Sequence, residues 1–260
     1  FASVSAAASP AMRDAPLRLV DSFGRIARDL RVSLTDRCNL RCSYCMPPEG
    51  LDWLPTEDTL TDAEVVRLVR IGVEELGIRQ VRFTGGEPLL RRGLEGIIAQ
   101  CSQLRTDRGD VPDLALTTNA LGLAKRARGL KDAGLKRVNI SLDSLDAEHF
   151  AAITRRDRLG DVLEGIEAAA REGLSPIKGN TLVLRGMNEA DLPDLVDYCL
   201  DRGIELRVIE QMPIGPANTW DRRSILTADE ILHIMSARHT LTPAPREDPH
   251  SPAGRWIVDG

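Results

Sequence analysis

Three of the five cysteines, Cys38, Cys42 and Cys45, fall within the short run Thr35-Asp36-Arg37-Cys38-Asn39-Leu40-Arg41-Cys42-Ser43-Tyr44-Cys45-Met46-Pro47. A structural zinc site normally takes four protein ligands. The four histidines, His149, His233, His239 and His250, all lie more than a hundred residues further along the chain. Three thiolates on one short loop suit three irons of a cubane [4Fe-4S] cluster, with the fourth iron left for a ligand that is not protein. An electron carrier closes all its irons with cysteine, so an open iron points to catalysis. On these residues alone, a zinc protein and a noncatalytic iron–sulfur module stay as competing readings. A second chemical signal is Thr84-Gly85-Gly86-Glu87-Pro88-Leu89, where two glycines let a backbone approach a ligand closely and Pro88 stiffens the exit.

Both runs must be carried by something rigid. From Leu30 onward, apolar β-branched stretches alternate with longer helical patterns, the signature of βα units around a parallel sheet. Six strands are predicted, over 30–35, 78–84, 113–119, 137–143, 176–184 and 204–211. A helix is predicted from about Thr61, with Asp62 and Glu64 in its opening turn and Gly77 past its end. Both motifs follow a strand directly. Six such units fit a complete or partial barrel or an open doubly wound sheet, and periodicity alone does not choose.

Residues two apart on a strand share a face. One face reads Val32, Leu34, Val81, Phe83, Leu114, Leu116, Val138, Ile140, Leu142, Ile177, Val183, Leu206 and Val208, which suits packing under helices. The other carries Arg31, Ser33, Thr35, Gln80, Arg82, Thr84, Thr117, Asn119, Asn139, Ser141, Asp143, Lys178, Asn180, Glu205, Arg207 and Gln211, with Leu182, Leu184 and Ile209 as exceptions. A filled barrel is lined by Val, Ile and Leu. A polar lining implies a wet, ligand-holding cavity. Arg31, Arg82, Lys178 and Arg207 need anionic partners if buried, and Glu205 and Asp143 neutralise two of them. The cavity is therefore expected to bind something negative.

Composition narrows the field. The 260 residues are 42% apolar and 28% charged, with a formal net charge of −5, an ordinary globular balance. Net negative charge argues against wholesale nucleic-acid binding, and nine aromatics (Phe 4, Trp 3, Tyr 2) leave little for a base-stacking platform. No apolar run approaches the roughly 20 residues of a membrane span. Cys101 and Cys199 stand alone in helical patterns and are expected as core thiols. The run Lys125, Arg126, Arg128 and Lys131 is expected as a solvated helix face, and Trp53, Trp220 and Trp256 as packing residues, with a lid role open to the first two.

The cysteine loop, with Tyr44 as the aromatic before its last cysteine, followed one βα unit later by Gly85-Gly86-Glu87-Pro88, resembles the radical S-adenosylmethionine (radical SAM) enzymes. The resemblance implies an α/β fold, a partial (β/α)6 TIM-type barrel with a polar lumen. It also implies two cofactors: a [4Fe-4S] cluster on Cys38, Cys42 and Cys45, and S-adenosylmethionine, whose amino and carboxylate groups chelate the open iron. One electron then cleaves the sulfonium to methionine and a 5′-deoxyadenosyl radical. Several runs, among them T-D-R-C-N-L-R-C-S-Y-C-M-P, V-R-F-T-G-G-E-P-L-L-R-R, L-T-T-N, R-V-N-I-S-L-D-S-L-D and I-E-Q-M, together resemble the GTP 3′,8-cyclase family of molybdenum cofactor biosynthesis. That family converts GTP to 3′,8-cyclo-7,8-dihydro-GTP. By resemblance the SAM contacts are Tyr44, Gly86, Ser141 and Met212, and the GTP contacts are Arg31, Arg82, Thr117 and Lys178. The implied partners are GTP, a one-electron reductant and the accessory protein that completes cyclic pyranopterin monophosphate, with a second copy of the chain as a candidate homodimer partner. A cytoplasmic setting is expected, with no nucleic-acid or membrane partner. A peptide-modifying radical SAM enzyme is the runner-up.

The family carries a second [4Fe-4S] cluster, on a C-terminal C-x2-C plus a later cysteine, which anchors the guanine. No such run occurs here, so the expectation is a C-terminally truncated copy that builds the SAM half and much of the triphosphate pocket. The second cluster is expected only in a full-length parent. Ala120 stands where the family more often has Gly after Thr-Thr-Asn. The expected organisation is an N-terminal arm over 1–24, a barrel over 25–240 and a linker over 241–260, read from its Pro-rich stretch.

Overall fold

The computed structural model describes residues 17–212, 225–245 and 253–260. Six strands, β1 (Asp29–Ser33), β2 (Gln80–Thr84), β3 (Asp113–Thr118), β4 (Arg137–Ser141), β5 (Ile177–Leu182) and β6 (Glu205–Ile209), form one parallel sheet in chain order. Every expected strand is present, with no end moved by more than two residues. The connections carry α1 (Asp62–Arg70), α2 (Leu94–Cys101), α3 (Leu123–Asp132), α4 (Ala147–Thr154), α5 (Leu159–Arg171) and α6 (Leu192–Asp201), and α7 (Ala228–Ser236) follows.

Strand order decides what periodicity left open. A doubly wound sheet reverses its order at a switch point, whereas here the order runs from β1 to β6 without reversal. Right-handed crossovers then keep every helix on the same side. The sheet curls with its polar face inward, and β6 does not pair with β1 among the described residues. The result is an open, partial (β/α)6 barrel.

The apolar face is buried as its pattern requires. Val81, Phe83, Leu114, Leu116 and Val138 are fully covered, and they join Val69, Ile97, Ile98, Leu130 and Val162 of the helices in one core. Truncating a buried Phe such as Phe83 costs about 3–5 kcal/mol. Helix α1 starts where expected, closed by a capping box in which Thr61 and Glu64 satisfy each other's backbone N–H. It continues through a wider turn over Ile71–Glu75 before Gly77, whose φ is +73°. Cys101 and Cys199 are buried core thiols, as expected.

Two expectations change, and two terminal segments gain local structure. Leu184 lies beyond the end of β5, so strand alternation does not govern it, and it is buried beside a bridge to Ile225. Arg126 is not part of a solvated face. Its guanidinium is half-buried, pairs with Glu95 at 2.7 Å and donates to the Leu89 and Arg91 carbonyls, tying α3 to α2. Within the expected arm, residues from Leu17 form a small antiparallel turn with a Val20–Ile26 bridge, while 1–16 lie outside the described residues. Where a linker is expected, β7 (Leu241–Ala244) pairs antiparallel with β8 (Arg255–Val258), and Trp256 stays partly exposed in it. Trp220 lies outside the described residues.

Candidate active site

The lumen has two chemically different ends. At the carboxyl ends of the strands, the cysteine run leaves β1 and lies directly on the loop that leaves β2. Leu34 N–H donates to the Thr84 carbonyl at 2.8 Å, Gly86 N–H to Thr35 O at 2.6 Å and Glu87 N–H to Arg37 O at 2.7 Å. The glycines are explained by this contact. A Cβ at Gly85 would stand 2.4 Å from Thr35 O, and one at Gly86 would stand 2.3 Å from Arg37 O. The close approach read from the sequence as room for a ligand is thus first a backbone-to-backbone contact, though Gly86 keeps an exposed edge.

The far side of the cysteine loop is clamped by α4. Arg41 and Ser43 donate their N–H groups to the Thr154 and Ile153 carbonyls. Arg155, held at φ +56°, donates to the Arg41 and Met46 carbonyls, both at 2.9 Å. Arg41 folds back onto the Cys38 and Leu40 carbonyls, with Trp53 against its guanidinium. Cys38 and Cys42 are half-buried and Cys45 is exposed. Burial pushes all three thiols up, Cys42 to about 12, so binding iron must displace their protons. No three His, Cys, Asp or Glu side chains among the described residues converge on one ion. Sulfurs that each take a different corner of a cubane are spread by the cluster's width and do not converge in that sense.

Tyr44 hydroxyl donates to Asp143 Oδ2 at 2.8 Å, and Asp143 Oδ1 accepts the Leu182 N–H at 2.9 Å. Burial raises the Asp143 carboxyl to about 6 despite these donors. Its partners are the Tyr44 hydroxyl and the Leu182 backbone, which corrects the reading of Asp143 as a neutraliser of a lumen cation. It fixes Tyr44, two residues past Ser141 on β4. Met212 lies 60% exposed just beyond β6, next to residues outside the described set.

Glu87 is the buried hub of this end. Its carboxylate accepts from Leu89 N–H, Thr118 Oγ1–H and Asn119 N–H at 2.7–2.9 Å, binding the β2 loop to the β3 loop. Burial raises its pKa. Glu87 and Arg155 were not singled out in the sequence, although Glu87 sits in the same motif as the glycines.

The amino ends of the strands form an open cavity of about 330 Å³ lined by Gln80, Arg82, Asp113, Lys136, Arg137, Ser175, Pro176, Lys178 and Arg207. Arg82 and Lys178 are thereby brought together, while Arg31, Arg82's register neighbour, stands exposed on the edge strand. Thr117 sits deeper and accepts from Asn139 Nδ2 at 3.3 Å. Glu205 pairs with both Lys178 (2.9 Å) and Arg207 (3.1 Å), and Asp113 holds Arg137 at 2.8 Å. Arg82 Nε and Asn139 Oδ1 are buried without a protein partner. Burial, then the neighbouring charges of Arg31, Arg137 and Arg207, lowers the Arg82 pKa. Positive charge thus exceeds its protein partners here, and an anion would relieve it. Arg137 and Lys136 were not read from the sequence as cavity cations.

Residues 32–199 match the radical SAM superfamily, and the chain belongs to it. The particular relatives are consistent. The chain is 61% identical over 240 residues to GTP 3′,8-cyclase of Corynebacterium glutamicum, covering 92% of this chain and 64% of that protein. It is 57% identical over 242 residues to GTP 3′,8-cyclase of a Mycobacterium species, strain KMS, covering 93% and 68%. It therefore spans about two thirds of the length of the curated relatives it matches. Among solved structures, Streptococcus suis SuiB bound to S-adenosylmethionine gives a TM-score of 0.59 at 17% identity, over 75% of this chain and 41% of that one. A radical SAM methyltransferase from Sphaerobacter thermophilus gives 0.58 at 16%, over 82% and 63%. These two share the fold. Membership brings a [4Fe-4S] cluster and S-adenosylmethionine as cofactors, and a donor set of three thiols and no convergent fourth side chain fits a cluster with one iron free.

Among the described residues, no helix is long and apolar enough to cross a membrane.

Proposed function

We propose that the chain is the SAM-binding and triphosphate-binding part of a GTP 3′,8-cyclase, acting in the first step of molybdenum cofactor biosynthesis. The observation that carries this reading is the cationic cavity at the end of the lumen opposite the cysteine loop. At about 3.3 Å per residue, Arg82 lies about 7 Å from Thr84, the carboxyl end of β2, and Gly86 lies on the loop beyond that end. A ligand reaching both ends is elongated and anionic at the far one, which suits a nucleoside triphosphate whose sugar lies near the cluster.

In this reading Cys38, Cys42 and Cys45 hold the cluster, and Tyr44, Gly86, Ser141 and Met212 contact S-adenosylmethionine. Arg82 and Lys178 clasp the phosphates, Arg31 closes the edge and Thr117 meets the nucleoside. When bound and reduced by one electron, the cofactor pair would supply hydrogen-abstracting radical chemistry toward the sugar. The protein's own residues orient and exclude: Asp143 holds Tyr44 against the cofactor, Glu87 ties the loops, and Arg155 keeps the cysteine run closed. GTP, a one-electron reductant and the downstream accessory protein of cyclic pyranopterin monophosphate synthesis are the proposed partners, a homodimer the proposed assembly, and the cytoplasm the proposed setting.

The test separates the two ends. Anaerobically reconstituted protein given S-adenosylmethionine and dithionite should form 5′-deoxyadenosine, and equilibrium dialysis should show saturable GTP binding that weakens with salt. Absence of GTP binding at low salt overturns the substrate assignment; absence of 5′-deoxyadenosine overturns the chemistry.

A further inference from the structure

Asn119 follows β3 on the loop that faces the cysteine run, and it is buried. Its side-chain oxygen accepts the Leu121 backbone N–H at 3.0 Å. A backbone N–H can only donate, so this bond fixes the amide's orientation and turns Nδ2 toward the cysteines. From there Nδ2 donates to Asn39 Oδ1 at 2.8 Å and reaches Cys38 Sγ at 3.9 Å. The loop beneath it is immobilised twice. Asn119 N–H and Thr118 Oγ1–H both donate to the Glu87 carboxylate at 2.7 Å, and Ala120 is buried at φ +63° with its N–H on Thr118 Oγ1. Such anchoring places the amide as part of the scaffold.

We propose that Asn119 is a positioning residue that sets the reduction potential of the cluster through its N–H on the Cys38 sulfur. The inference rests on the cluster assignment and is independent of GTP. Reduction adds one electron, [4Fe-4S]2+ to [4Fe-4S]1+, and part of the added charge resides on the sulfurs. A donor stabilises the reduced form more than the oxidised one and raises the potential. No proton moves and no bond breaks; the electron comes from a one-electron reductant such as dithionite.

The experiment is an anaerobic redox titration followed by electron paramagnetic resonance on the reconstituted chain, with Asn119→Ala and Asn39→Ala compared at equal iron and sulfide content. Both variants lose the 2.8 Å amide pair, but Asn39→Ala keeps the donor on sulfur. In Asn119→Ala the reduced-to-oxidised ratio at a fixed potential should fall about tenfold, a shift of about 59 mV to more negative values for a one-electron couple. Asn39→Ala should titrate like the parent. Equal shifts in the two variants, or a parental potential in Asn119→Ala, overturn the proposal. If Asn119→Ala takes up no iron, the Asn39→Ala protein grown with side-chain 15N-labelled asparagine decides: pulsed resonance should detect coupling to the labelled nitrogen, and its absence overturns the proposal. Failure to bind GTP would remove the substrate reading and leave this result standing.

Discussion

The two ends of the lumen are built by opposite means. At the carboxyl ends, loops touch backbone to backbone, a buried carboxylate ties them together, and residues without a Cβ are required at Gly85 and Gly86. At the amino ends, cations surround a cavity and pair with Glu205 and Asp113 across exposed or half-exposed faces. Close-packed backbone has no way to relax around an added atom, so the first end should respond to substitution as all or none. Charge interactions are longer-ranged and screened, so the second should respond in graded and salt-dependent fashion.

The largest effect should come from Gly86→Ala. The new Cβ meets backbone oxygen, which cannot swing aside, and the cysteine loop must move. Cluster assembly and 5′-deoxyadenosine formation should fall by about two orders of magnitude or more, on the scale of a 1 Å misplacement at a reacting centre. Iron content after reconstitution measures it; a fully loaded variant would mean the two loops are not packed as described. Next, Arg82→Ala and Lys178→Ala should each weaken GTP binding about 10- to 100-fold, from the loss of charge-assisted hydrogen bonds of about 1.5–3 kcal/mol, while cofactor cleavage persists. Equal loss of both activities would erase the separation between the ends.

A smaller change is expected from Ala120→Gly. Relief of the left-handed conformation is worth about 1–2 kcal/mol, and the greater freedom of glycine in the unfolded chain returns about 0.5–1 kcal/mol. The Ala120 methyl is also buried in the core, and losing it costs about 0.8 kcal/mol, so denaturant unfolding should show a net change within about 1 kcal/mol of the parent. The smallest effects are in pH dependence, where the two ends should have slopes of opposite sign. Burial raises the Glu87 pKa, so the folded state holds the proton more tightly than the unfolded chain. Its contribution is present below the ordinary value near 4.5 and is lost as pH rises through the folded value. At Glu205 burial opposes the charge, but the bonds and charges of Lys178 and Arg207 outweigh it and the pKa is lowered. That contribution is present above about 4.5 and is lost as pH falls through the folded value. Unfolding midpoints from pH 3 to 7 for Glu87→Gln and Glu205→Gln should each lose the matching slope; slopes of the same sign would contradict the contrast.

How much of this was legible depends on how local each signal is. The six strands, their apolar and polar faces, and the cysteine loop follow from side-chain period and spacing, which are properties of neighbouring residues. Arg82, Lys178 and Arg207 were legible as inward cations for the same reason. Asp143 was misread because parity places a side chain on a face but not at a height along it; its partner is Tyr44, 99 positions away. Arg137 was hidden because its role arises where its side chain reaches from β4 to Asp113 of β3 and across to Gln80 of β2. Arg126 looked like part of a solvated run until α2 presented Glu95 to it.

By itself, the amino-acid order determined the βα repeat, the thiol triad and the sign of charge inside the lumen, since each is written in residue types at short separations. The tertiary structure alone decided that the sheet rolls without reversing, that the two glycines serve the cysteine loop, and that Glu87 and Asn119 join three loops at one end. Those outcomes depend on which distant segments touch, and hydrogen-bond partners far apart in sequence are chosen by the packing of the whole core.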